Sequence, residues 1–195
     1  MTPGPPQSAT AILDGTWTID PSIGSFSDFS DSFVGYRVNE QLAGIGANTA
    51  VGRTPSVTGS LTLAGAAVTD VQISADLTSL KSDDSRRDGQ LSHQGIATSS
   101  FPTATFKLTA PIQLAAVPAD CVVMTATATG DLTLHGVTKS VQVALQSERS
   151  GAVVTVTGST NIVFADFGFQ GPSSFAVLSV EDHGVMEFQL HFRHG

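Results

Sequence analysis

Apolar residues in this chain recur at every second position, segment after segment. That period fits a pleated strand with one buried face and is incompatible with a helix. In Val34-Gly-Tyr-Arg-Val-Asn-Glu40, residues Val34, Tyr36 and Val38 share one face, opposite Arg37 and Asn39. In Val57-Thr-Gly-Ser-Leu-Thr-Leu63, residues Val57, Leu61 and Leu63 face one way and Thr58, Ser60 and Thr62 the other. Val71-Gln-Ile-Ser-Ala-Asp-Leu77 and Met186-Glu-Phe-Gln-Leu-His-Phe192 repeat the arrangement, and shorter copies occur at 104–108, 141–145, 154–156 and 162–164. Trp17 and Ile19 open the first strand. About eight or nine strands follow one another at near-regular spacing, with Gly, Pro and Asp between them, which predicts an antiparallel barrel or sandwich. One stretch, residues 82–98, lacks the alternation. It starts on Ser and Asp capping residues and predicts a short helical excursion, with Leu91 and Ile96 turned inward.

At 195 residues the chain is long enough for one domain with a sizeable core or an enclosed cavity. Residues 1–13, rich in Pro, read as a disordered leader, and residues 14–195 as a single domain. The net charge of −8 argues against nucleic acid and anionic membrane surfaces as partners, since both demand clustered Lys and Arg. No stretch reaches the roughly 18 apolar residues of a membrane-spanning helix. The start carries no basic region followed by an apolar one, so it does not read as a signal peptide, and a cytoplasmic location stays open. The one cysteine, Cys121, lies in the apolar run Cys-Val-Val-Met124 and reads as a small buried hydrophobe.

The residues that carry chemistry form no recognisable catalytic set. The five histidines, His93, His135, His183, His191 and His194, make no spaced metal motif, and no metal is expected. His191 and His194 fall at a fraying end; His135 falls at a turn, where its ring can bond a backbone group. Asp131, Asp166 and Asp182 read as strand-end or turn carboxylates that cap amides. There is no nucleophile elbow, and the glycines read as turn residues rather than a phosphate loop. Arg87 is either a clamp that holds the excursion or a guard at a cavity mouth, with the clamp favoured. Arg37 and Arg53 are read as solvent-exposed. Inward faces this apolar can fill a solid core or line a tunnel; on residue types alone a filled core is favoured.

Three motifs, in order along the chain, add a resemblance. Arg87-Asp88-Gly89-Gln90-Leu91 is similar to an Arg-Asp-x-His-Leu segment. Phe101-Pro-Thr-Ala-Thr-Phe106 matches a Phe/Tyr-Pro-x-x-x-Phe strand. Gly130-Asp-Leu-Thr-Leu-His-Gly-Val-Thr-Lys139 matches a Gly-x-Leu-x-x-His-Gly-Val-Thr-Lys hairpin. With Val34 to Glu40, which stands where a Val-x-Phe-x-Val-x-His strand is usual, the chain from about Trp17 to Phe192 resembles the YceI-like family. Glu40 and Gln90 occupy positions where that family carries His. The resemblance implies an all-β, antiparallel, eight-stranded lipocalin-like barrel with a short helical excursion. It implies a carrier or sequestering protein for a long-chain isoprenoid lipid (a polyprenyl phosphate or an isoprenoid quinone), with no catalytic residue and no cofactor other than that ligand. The alternatives are a solid β-domain acting as an interaction module, or a barrel enzyme acting on an apolar substrate through His135 or Asp131. The residues expected to meet the lipid are Tyr36, Val38, Leu61, Leu63, Ile73, Leu77, Arg87, Leu91, Phe106, Leu132, Leu134, Phe164, Phe188 and Leu190. A cell-envelope or extracytoplasmic location and room for a homodimer complete what it implies.

Overall fold

The computed structural model describes residues 13–172, 174 and 177–195. The expected leader therefore lies, except for Leu13, outside the described residues. The strands are β1 (Gly15–Ile19), β2 (Phe33–Leu42), β3 (Gly46–Thr54), β4 (Val57–Ala64), β5 (Ala67–Asp76), β6 (Lys81–Ser82), β7 (Thr103–Leu108), β8 (Ile112–Gln113), β9 (Val123–Leu134), β10 (Val137–Ser150), β11 (Val153–Val163), β12 (Val177–Val180) and β13 (His183–His194). Among the described residues one α-helix, α1 (Ser85–His93), interrupts them, with Asp84 accepting a hydrogen bond from the Arg86 N–H at its start.

Eight staves close into an up-and-down barrel, and two of them are composite. β3 runs on into β4 past Pro55, while β1 and β2 lie end to end along β13, separated in sequence by residues 20–32. The ring then reads β1/β2, β3/β4, β5, β7, β9, β10, β11 and β13. Closure is made by β13. One of its edges pairs with β11, and the other pairs with β2 through Val185–Gln189 and with β1 through Phe192–His194. The sandwich alternative is thereby replaced by a barrel, in which the outer edge of β3 is paired by β6 at Gly52 and Arg53 alone. The smaller strands β6, β8 and β12 add to the flanks of β3, β5 and β2. The β9–β10 turn is formed by His135 and Gly136, with φ of 52° and 73°, the pair of positive values a two-residue hairpin turn requires.

Several readings change. The segments 154–156 and 162–164 belong to one strand, β11, and Phe164 opens the turn beyond it. The intervening Thr157–Asn161 stretch hides its inward face because that face carries Gly158 and Thr160. Cys121 is exposed, with φ of 55°, just ahead of β9, so it is not a core residue. Asp131 lies inside β9 and faces outward. His191 is buried rather than frayed, its ring bonded to Thr155 Oγ1 at 2.9 Å and to the Ser30 carbonyl at 2.9 Å.

On the outer face Arg53 and Arg37 are not merely solvated. Glu187 accepts from Arg37 Nε at 2.5 Å and from Arg53 Nη2 at 2.8 Å. Gly35 sits between Arg53 and Glu187 in the strand register, and its missing side chain leaves the space Arg53 crosses: a Cβ there would come 2.7 Å from Arg53 Cγ. The guanidinium also lies over Phe29 and Phe33, 4.6 and 4.4 Å from their centroids, tying the 20–32 segment to the wall. Burial opposes ionisation of Glu187, but the donors from Arg37 and Arg53 outweigh it and hold the carboxyl below its ordinary range. A carboxyl lowered in the folded state contributes stability that is fully present above its unfolded value and is lost as pH falls through the folded one. The acid limb of a stability–pH curve, measured by urea unfolding below about pH 4.5, is therefore expected to flatten in Glu187→Gln, with lower stability at neutral pH. A limb identical to the wild type contradicts this assignment.

Candidate functional site

The inward faces do not fill the barrel. Two apolar cavities lie along its axis, an upper one of about 120 Å³ beneath α1 and a lower one of about 150 Å³ toward the β4–β5 end. Both touch Val34, Ala104, Leu132 and Met186, which form a waist between them. Among the described residues, polar side chains reach the upper cavity only from Tyr36, Glu40 and Arg87. Ser147 adds a hydroxyl to the lower one, which Trp17 and Phe192, each 2% exposed, also line. Left empty, apolar space costs about 24 cal/mol per Å³, or about 3 to 4 kcal/mol for each cavity. That is a large share of the roughly 5–15 kcal/mol by which domains are stable. An apolar cavity near 150 Å³ stays dry and accepts small apolar molecules.

The space survives because large rings lie flat against the wall. Tyr36 pairs across the ladder with Gly52, and Phe188 with Gly158, while Phe106 lies diagonal to Gly130. A Cβ at Gly52 would come 2.4 Å from the Tyr36 ring, at Gly130 2.3 Å from Phe106, and at Gly158 2.6 Å from Phe188. Each ring thus occupies the volume its glycine partner lacks, instead of projecting to the axis. The sequence reading placed glycines at turns and missed this inward set. Its only signal is a Gly at an inward position of an alternating segment.

Every residue expected to meet a lipid lies on one of these walls. Tyr36, Val38, Leu77, Arg87, Leu91, Leu134 and Phe164 line the upper cavity; Leu61, Leu63, Ile73, Phe106, Phe188 and Leu190 line the lower; Leu132 touches both. Met186 and Ala104 at the waist were not singled out, although Met186 continues the alternation of Phe188 and Leu190. Ile96 joins Leu91 in covering the upper cavity from the excursion. His135 and Asp131 line neither cavity. The His135 ring packs 4.0 Å from Phe101 and 5.4 Å from Phe169, with Nδ1 3.2 Å from the Phe167 carbonyl, so it fastens the hairpin to the turn after β11.

Arg87 is held in the cavity roof. Its Nη2 donates to Glu40 Oε1 at 2.7 Å and its Nη1 to Asp83 Oδ1 at 2.5 Å. The Arg87 and Glu40 side chains are 12% and 5% exposed, so the pair is largely shielded from water. Glu40 also accepts from Asn48 Nδ2 at 2.8 Å, and Asp88 accepts from Ser82 Oγ at 2.7 Å and from the Ser82 N–H at 3.0 Å. This network links β2, β3 and the excursion, the clamp that the Arg87-Asp88 pair suggested. The Tyr36 hydroxyl is buried and has no partner among the described residues; burial pushes its pKa up, so it stays a protonated donor.

Comparison with known proteins agrees with this geometry. A family model described as a YceI-like domain matches residues 17–192. A polyisoprenoid-binding domain from Saccharophagus degradans, implicated in plant cell wall breakdown, superposes with a TM-score of 0.67 at 17% identity, covering 93% of this chain and 99% of that one. BcnA of Burkholderia cenocepacia gives 0.64 at 20% identity over 89% and 98%. The YceI protein of Campylobacter jejuni gives 0.61 at 14% identity over 74% and 84%. At these identities the likeness is one of fold. No curated protein matches the chain.

Gly52→Ala is expected to lift the Tyr36 ring off the wall and to destabilise the barrel by about 1–3 kcal/mol. Tyr36→Leu in the same chain should restore part of the loss. Chemical denaturation of the two single variants and the double variant checks the coupling; strict additivity would show that ring and glycine do not share this space.

Proposed function

The chain belongs to the YceI-like family, and on that premise we propose that it binds a long-chain isoprenoid lipid in the barrel lumen and carries or sequesters it. The observation that carries the reading is the lumen itself: two apolar cavities end to end, separated by four side chains rather than by a packed core. The likeness in fold to a polyisoprenoid-binding domain supports it. Each methylene moved from water into such a lumen contributes about 0.8 kcal/mol, so a chain of several isoprene units binds tightly through few polar contacts. Methionine suits the waist. Its unbranched side chain re-packs easily, and Met186 turning aside joins the two cavities into one channel for a tail. Loading and release proceed by displacement of the 82–98 excursion, whose Leu91 and Ile96 cover the upper cavity.

The same observation separates this reading from its rivals. A solid interaction module has no use for an unfilled interior of this cost. An enzyme needs a reactive group facing the substrate, and the candidate acid–base residues His135 and Asp131 sit outside both cavities. Binding that leaves the ligand chemically unchanged fits the lining better.

Organic extraction and native mass spectrometry of protein purified from its own source are expected to yield an intact isoprenoid lipid, released unaltered. An empty protein, or a turned-over product, contradicts the reading. Met186→Trp, which fills the waist, should restrict binding to ligands short enough for one cavity while the chain still folds by circular dichroism. Equal affinity of this variant for short and long tails would show that the tail does not pass the waist.

A further inference from the structure

The three polar side chains of the upper cavity differ in what they have left to offer a ligand. Arg87 is already shared, its Nη2 donating to the buried Glu40 and its Nη1 to the exposed Asp83. Asp84 and Asp88 stand on the same excursion, so Glu40, Asp83, Asp84 and Asp88 surround Arg87 and the exposed Arg86, and carboxylates outnumber guanidiniums around the roof. An anionic head group entering here competes with Glu40 and Asp83 for Arg87 and lies among surplus negative charge. Parting Arg87 from Glu40, whose side chain is 5% exposed, leaves a buried carboxylate without its cation, which is strongly unfavourable. Asp83, 80% exposed, returns to water at little cost, and there the surplus negative charge of the roof is what opposes the anion. Tyr36 is the opposite case. Its hydroxyl is buried beside Gly52 without a partner among the described residues, and a buried unpaired donor costs free energy that an acceptor would recover.

We infer that the upper cavity selects a tail whose head group is uncharged and carries an acceptor oxygen (a carbonyl or hydroxyl), received by the Tyr36 hydroxyl, and that it rejects the phosphorylated form of the same tail. The inference rests on the isoprenoid reading and narrows it. Tail length and head-group charge are set by different residues: the lower cavity and the waist read the first, and the Glu40–Arg87 pair with Tyr36 reads the second.

Titration calorimetry with three ligands that share a geranylgeranyl tail tests it: the menaquinone bearing that tail, geranylgeraniol, and geranylgeranyl phosphate. The quinone and the alcohol are expected to bind at least roughly tenfold more tightly than the phosphate. Tyr36→Phe should weaken the quinone by up to roughly tenfold and leave the phosphate unmoved. Glu40→Gln, which frees one side of Arg87, should narrow the gap by improving the phosphate. Equal or tighter binding of the phosphate by the wild type overturns the inference, as does a Tyr36→Phe variant with unchanged quinone affinity. If Glu40→Gln fails to fold, the wild-type ranking and Tyr36→Phe still decide. Failure of all three ligands to bind is a different result, one that removes the isoprenoid reading itself.

Discussion

β13 is hydrogen-bonded along both edges, to β11 on one side and to β2 and then β1 on the other. That double pairing makes the meander a cylinder, and everything else follows from it. A closed cylinder has no second sheet to pack against, so its inward faces meet only one another across the axis. Whatever those side chains fail to fill is lined mostly by apolar groups. The outer clamp of Arg37, Glu187 and Arg53 sits at the β3–β2–β13 junction and reinforces the side of the seam that β2 supplies.

How much of the axis stays open is then a question of ring placement. Aromatic residues at inward positions are large enough to plug an eight-stranded barrel. Here Tyr36, Phe106 and Phe188 fold onto Gly52, Gly130 and Gly158, and the lumen keeps two cavities with a methionine between them. The arrangement gives up packing that a filled core would have, a loss that the proposed hydrocarbon ligand would offset. At the upper end the polar network of Glu40, Arg87 and Asp83 spans β2 and the excursion, and Glu40 and Arg87, which hold the roof in place, also line the upper cavity.

β3, whose inward positions carry Asn48, Ala50, Gly52 and Thr54, shows no apolar alternation and was not read as a strand. The period-2 pattern was nevertheless enough to read most of the staves and their inward faces: Val34, Tyr36 and Val38, or Leu61 and Leu63, declare themselves. The 82–98 excursion was legible for the converse reason, and so was the His135–Gly136 turn. What failed was local. Gly158 and Thr160 broke the apolar signal, so β11 read as two pieces. Cys121 sat in an apolar run that ends outside the wall. His191 looked terminal, yet residues 20–32 fold over it, a contact between positions far apart in sequence. The choice between a filled and a hollow interior was closed to the alternation altogether, since both need the same residues facing in. It turns on glycines opposite rings, a pairing that only register reveals. Glu40 was visible as a departure from the family pattern, but its partnership with Arg87 depends on the excursion closing over β2.

The methyl group of Met186 offers the most direct view of the central claim, because it stands at the waist that a tail must pass. Methyl-labelled protein loaded with a long isoprenoid should show nuclear Overhauser contacts between the Met186 methyl and protons of the lipid chain, together with a large shift of its resonance. An unshifted Met186 methyl without such contacts, in protein to which the lipid is demonstrably bound, would place the ligand outside the barrel and contradict the account.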